Sequence, residues 1–178
     1  MITKDGRIKL KFGQAIDHYL LVIILLFVPA LTLYDLFTIY ITDTYDGKRT
    51  SNELLYTAIP FFILAIVVFI IQRNRLKVNE IKIYYTEDQF QEAVQQTIEE
   101  LKWLVEINEE KVFRARRPWN WKSSWGEMIT IFKEEDRLLV NSICDPDGKT
   151  SVASWGWNNK NINVFYKNLR KAISSKIE

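Results

Sequence analysis

Two uninterrupted apolar runs constrain this chain more than any other feature: YLLVIILLFVPALTLYDLFTIYI from Tyr19 to Ile41, and LLYTAIPFFILAIVVFII from Leu54 to Ile71. As helices they would reach about 34 and 27 Å, enough to cross a hydrocarbon layer of about 30 Å. Asp35 is the one charged side chain in either run. Pro29 and Pro60 are compatible with membrane helices, where kinks are tolerated. The competing reading is a buried helix pair in a soluble protein, and runs of 23 and 18 residues with a single charge count against it. A cleaved signal peptide fits poorly, because the flank before Tyr19 is long and VPA is a weak cleavage context.

Basic residues orient the two runs. Lys4, Arg7, Lys9 and Lys11 precede the first, and Arg73, Arg75 and Lys77 follow the second, while the loop between them offers only Lys48 and Arg49. Basic residues favour the cytosolic side, and acidic ones count little. The expected layout is a cytosolic basic segment (1–18), a first span (19–41), an external loop (42–53), a second span (54–71), a basic juxtamembrane linker (72–79) and a cytosolic module (80–178). This places the protein in the inner, cytoplasmic membrane as a multi-pass protein with both termini in the cytosol. The lone Cys144 then sits in a reducing compartment. Asp35 lies six residues before Ile41, so a headgroup-level position is preferred to an interhelical hydrogen bond or a transport role.

Residues 79–178 change character. Glu80–Tyr85 alternates as a short strand, and Thr86 with Gln89 forms a capping box that opens a helix. Phe90, Ala93, Val94, Thr97, Ile98 and Leu101 make its buried stripe. Strands are expected at Trp103–Ile107, within KVFRARR, at Glu127–Lys133, at Arg137–Ile143 and at Ser151–Trp155, with a turn at Asp145–Gly148. A last helix repeats Ile162, Phe165, Leu169 and Ile173. The fold class is therefore a two-helix transmembrane hairpin followed by a two-layer α+β domain, an antiparallel sheet with two helices. RIKLKF near the N-terminus also alternates, and reads as a basic membrane anchor or as an added strand.

The most unusual stretch is KVFRARRPWNWKSSWGE. Five basic residues and no acid run from Lys111 to Lys122, with Trp119, Trp121 and Trp125 close by. On a strand, Arg114 and Arg116 share a face opposite Phe113 and Ala115. Arg114, Arg116, Arg117, Trp119, Trp121, Lys122 and Trp125 are thus candidates for contact with anionic headgroups or a membrane-protein partner, ahead of single-stranded nucleic acid. The alternative is a hairpin whose indoles pack on the sheet while its arginines pair with nearby Glu residues. In SVASWGWNNKNINVF, Trp155, Trp157, Asn158 and Asn159 would cap a helix or meet a polar ligand.

Together, LKW at the end of the first module helix, SWGEMITI, NSICDP and SWGWNNKNINVF resemble a small cytosolic α+β module of uncharacterised bacterial membrane proteins with SWGE and SWGxN-type motifs. The resemblance covers roughly residues 86–170. It implies a fold reused across membrane proteins, and no catalytic residue carries over with it.

Catalysis has little support in these residues. His18 is the one histidine and adjoins the first span, so a Ser-His-Asp arrangement in the module is excluded. There is no phosphate loop, HExxH or CxxC. One Cys excludes an intramolecular disulfide framework and a cysteine-based zinc cluster, and one His removes most metal sites, so no metal or cofactor is expected. The expectation is a non-enzymatic accessory or sensor subunit, with membrane lipids and a membrane-protein partner or a second copy as partners. Two alternatives stand beside it: an effector whose spans perturb or conduct across the bilayer when the module binds a signal, and an enzyme with an unrecognised site.

Overall fold

In the computed structural model, residues 2–119, 126–147, 154 and 156–175 are described. The chain divides into two compact units: Met1–Asp17 together with Arg75–Glu178, and His18–Asn74.

The second unit holds most of two helices, α1 (Phe12–Phe37) and α2 (Ser51–Arg75), with one π-helical stretch, Thr38–Thr42, after α1. Both are long and apolar enough to cross a membrane. Each extends past the apolar run that predicts it, into the flanks FGQAIDH before Tyr19 and QRNR after Ile71. Pro29 and Pro60 lie inside the helices. The two helices touch through Tyr19 and Phe69, whose ring centroids are 5.5 Å apart, and His18 Nε2 lies 3.1 Å from the Gln72 carbonyl. At the far end Tyr40 donates to Ser51 Oγ at 2.9 Å.

The first unit is an α+β module: β1 (Asn79–Lys82), α3 (Glu87–Leu101), β2 (Leu104–Asn108), β3 (Val112–Arg117), β4 (Glu127–Lys133), β5 (Arg137–Cys144) and α4 (Trp157–Ser174). The five strands form one antiparallel sheet in the order β1-β5-β4-β3-β2. Thr86 opens α3 through the expected capping box, with Thr86 N donating to Gln89 Oε1 at 2.8 Å. Phe90, Ala93, Val94, Thr97 and Leu101 of α3 are buried, and Ile98 packs at the core margin. Phe165 and Leu169 of α4 meet them over Phe113, Ala115, Ile129, Ile131, Leu138 and Val140, so both helices cover one face of the sheet. Trp103, just before β2, is buried and its ring stacks 6.3 Å from Phe165. The expected strand at Ser151–Trp155 falls largely outside the described residues. β1 ends at Lys82, so Tyr85 is a loop residue whose hydroxyl donates to the Glu134 carbonyl at 3.0 Å.

The opposite sheet face is buried as well. Met128, Thr130, Asn141 and Ile143 on it are each 2% exposed or less. Asn141 donates its amide to the carbonyls of Arg75 and Lys77, at 2.9 and 2.8 Å. Residues 2–11 run beside the same linker: Ile8 N donates to Leu76 O at 2.8 Å, Val78 N donates to Gly6 O at 3.0 Å, and Arg7 bridges Lys77. Ile8 and Leu76 are both buried. RIKLKF is therefore part of the module, and its pairing partner is the linker, not a sheet strand.

Candidate functional site

Strand β3 alternates as its sequence predicts. Phe113, Ala115 and Arg117 face the helices and are buried, while Arg114 and Arg116 face the other way and are half-buried. The three arginines end up in three different electrostatic situations.

Arg117 stands beside Glu127 in the β3–β4 register. Its Nε donates to Glu127 Oε2 at 2.5 Å, and its guanidinium carbon lies 3.6 Å from the Trp157 ring centroid. Glu127 is wholly buried. A buried ion pair of this kind needs close geometry to offset desolvation, and the indole face adds a cation–π contact. Arg117 is therefore engaged inside the fold.

Arg116 is surrounded by acids. It lies 2.5 Å from Glu106, 3.3 Å from Asp145 and 2.5 Å from Asp147. Gln14 adds its amide to Asp147, at 3.1 and 3.0 Å, which ties the start of α1 to the turn after β5.

Arg114 differs from both. Among the described residues no carboxylate pairs with it, and its buried Nε has no hydrogen-bond partner. Its cross-strand neighbours are Thr130 on β4 and, beyond that, Asn141 on β5. Thr130 Oγ1 and Asn141 Oδ1 are also buried without a partner.

Of the predicted aromatic contacts, Trp119 is 55% exposed, and Trp121, Lys122, Trp125 and Trp155 lie outside the described residues. Trp157 opens α4 and meets both Arg117 and Lys160 through its ring face. Neither Asn158 nor Asn159 caps that helix. Gly156 takes the N-cap position at φ 85°, a left-handed conformation that glycine adopts without strain. Asn158 instead accepts from Ser142 Oγ at 3.3 Å, and Asn159 is exposed. Asn161, which periodicity alone does not single out, accepts from Trp103 Nε1 at 3.1 Å and donates to Ser142 Oγ at 3.1 Å. This fully buried asparagine fixes the indole of the core, and its signal is a polar residue on the apolar side of α4.

Asp35 sits two residues before the end of α1, half-buried, and its carbonyl accepts from Thr38 Oγ1 at 2.8 Å. Elsewhere, a shallow depression gathers Tyr85, Glu87, Glu110, Lys133 and Glu134. Lys133 closes it from within, 2.9 Å from Glu87 and 4.8 Å from the Phe90 centroid. Burial first, then the Glu87 and Glu134 charges, hold the Tyr85 phenol above the usual tyrosine range. Among the described residues no group of three or more His, Cys, Asp or Glu side chains could hold a metal ion. No protein-family model, curated protein or solved structure matches the chain.

Proposed function

We propose that the chain is an inner-membrane protein with two spans, α1 and α2, which presents its α+β module to the cytosol as a binding module, in the role of an accessory or sensor subunit. The observation that carries this reading is the backbone pairing of residues 6–8 with residues 76–78. Segments that hydrogen-bond to one another share a compartment, so an even number of crossings separates them, which two spans supply. Lys4, Arg7, Lys9, Lys11, Arg73, Arg75 and Lys77 then favour the cytosol as that compartment. Binding is favoured over catalysis because the one histidine of the chain, His18, adjoins the first apolar run, and residues 79–178 contain none. The exposed Trp119 and the half-buried Arg114 suit anionic lipid or a membrane-protein partner.

Reporters fused after Glu178 and inserted in residues 43–50 test the layout in cells. A cytosol-active reporter should work only at Glu178, and a reporter that requires export should work only in the loop. The opposite pattern at either position overturns the reading.

A further inference from the structure

Arg114, Thr130 and Asn141 stand in register across β3, β4 and β5, on the sheet face away from the helices. Side chains directly opposite on neighbouring strands have Cβ atoms about 5 Å apart, so the three form one continuous row. Each presents a buried polar atom without a partner: Arg114 Nε, Thr130 Oγ1 and Asn141 Oδ1. Leaving one such group unsatisfied costs about 1–3 kcal/mol, and more for a charged one, so three in a row point to something that satisfies them together. The direction of the Asn141 amide follows from its bonds. Its nitrogen is committed to the Arg75 and Lys77 carbonyls, which leaves the oxygen as the acceptor facing the row. The row thus offers a guanidinium donor, a hydroxyl of either sense and a carbonyl acceptor.

Charge decides what fits. Arg116 and Arg117 are each matched by carboxylates, but Arg114 is not. Arg75 and Lys77 belong to the backbone that Asn141 holds, and Arg7, which pairs with Lys77 through its backbone, is itself matched by Asp5 at 3.1 Å. Glu106, Asp145 and Asp147 are engaged by Arg116 and, for Asp147, by the neutral Gln14 amide, so Arg114 stands as the cation of the row itself. We propose that this row binds a phosphate ester carrying a hydroxyl. The oxyanion takes Arg114 and Thr130, and the hydroxyl donates to Asn141. A guanidinium with a neighbouring hydroxyl matches phosphate oxygens in geometry and charge. The same chemistry occurs in a glycerophosphate lipid headgroup and in a soluble phosphate ester. The row is held by the last residue of α2 and by Lys77 just after it, which favours the headgroup. This deepens the binding-module reading and rests on it, and the lipid source also rests on the two-span layout.

The test uses the purified full chain in a neutral detergent, with thermal melting followed by tryptophan fluorescence. The probes are inorganic phosphate, sulfate, glycerol phosphate, and mixed micelles of phosphatidylcholine with or without phosphatidylglycerol. Saturable stabilisation is expected from glycerol phosphate, from phosphatidylglycerol micelles, or from both. Response to the micelles alone assigns the headgroup, and response to the free ester assigns a soluble ligand. Phosphate, which keeps a proton near neutral pH, should bind more tightly than sulfate, which has none to donate to Asn141. Arg114→Gln should weaken binding at least tenfold. Thr130→Val should weaken it several-fold while the unliganded protein melts no lower than wild type, since the variant removes an unsatisfied hydroxyl. The second variant keeps the test open if Arg114→Gln does not fold. No stabilisation of the wild type by any probe overturns the site, as does a response unchanged in both variants. A Thr130→Val chain that melts lower without ligand but responds normally also overturns it, because the hydroxyl then serves the fold, as through a buried water. Glycerol phosphate binding does not depend on membrane orientation, so failure here and failure of the reporter layout are separate results.

Discussion

In α1 and α2 the large apolar side chains point outward: Phe27, Leu33 and Tyr56 are 64%, 69% and 77% exposed. In the module, Phe90, Phe113 and Phe165 are fully buried and meet edge to face, with centroids 5.7 and 5.9 Å apart. The same residue types therefore do opposite work. The module closes its own core, whereas the helix pair leaves large apolar side chains exposed, a pattern that marks an interaction surface or a lipid-facing one. A near-neutral formal charge of +2 conceals this division, since residues 1–78 carry +3 (nine basic, six acidic) and residues 79–178 carry −1 (fifteen basic, sixteen acidic). All six tryptophans lie between Trp103 and Trp157, so tryptophan fluorescence, excited apart from tyrosine, reads the module and is silent on the helix pair.

The sharpest way to break the comparison is to truncate one phenylalanine in each region. Phe165→Ala should destabilise the module by about 3–5 kcal/mol, because it opens a cavity beneath Trp103. Phe62→Ala, at a side chain 49% exposed on α2, should change module unfolding by less than about 0.5 kcal/mol. Urea unfolding of the full chain in detergent, followed by fluorescence, measures both. Equal losses would mean that the two regions are not energetically distinct.

A second break tests charge inside the module. Glu127→Gln leaves Arg117 without its counter-ion and should cost about 3 kcal/mol or more, whereas Arg117→Met with Glu127→Leu together should come close to wild type. The pair is buried by the same packing that excludes water from the core, so a single change exposes the desolvation cost and the double change removes it. A double variant as unstable as the single one would assign the loss to packing around Trp157.

Local elements were legible because their causes are local. The Thr86–Gln89 capping box, the buried stripe of α3 and the bounds of β4 follow from neighbours in sequence, and so does the split of Arg114 and Arg116 from Phe113 and Ala115. The pairing of residues 6–8 with 76–78 was not legible. It joins segments separated by the whole helix pair, and no periodicity carries information across that gap. Burial of the second sheet face was missed for a related reason. Strand β4 reads EMITIFK, with Met128 and Phe132 on the side away from the helices, and this two-sided apolar character was the available sign of a second covering layer. The site row depends on register between three strands, which turns and alternation alone leave open. That is why Arg114 could be named from the sequence, while Thr130 and Asn141 could not.

The smallest expected effect concerns Tyr85, at the margin of the module's acidic depression. Its phenol is held above the ordinary tyrosine range by burial and then by Glu87 and Glu134, and its hydroxyl donates to the Glu134 carbonyl. With the folded-state value raised, the unfolded chain loses this proton first as pH climbs through about 10. Over that window the folded state holds more protons than the unfolded one, so stability falls with rising pH, and the contribution is intact below it. Tyr85→Phe removes both the hydrogen bond and the titration. The variant should be about 1 kcal/mol less stable than wild type at neutral pH, and the gap should narrow between pH 9 and pH 11 in urea unfolding of the full chain. A gap that stays constant across that range would show that the depression does not disfavour the phenolate, and that its carboxylates are screened like any other solvated surface.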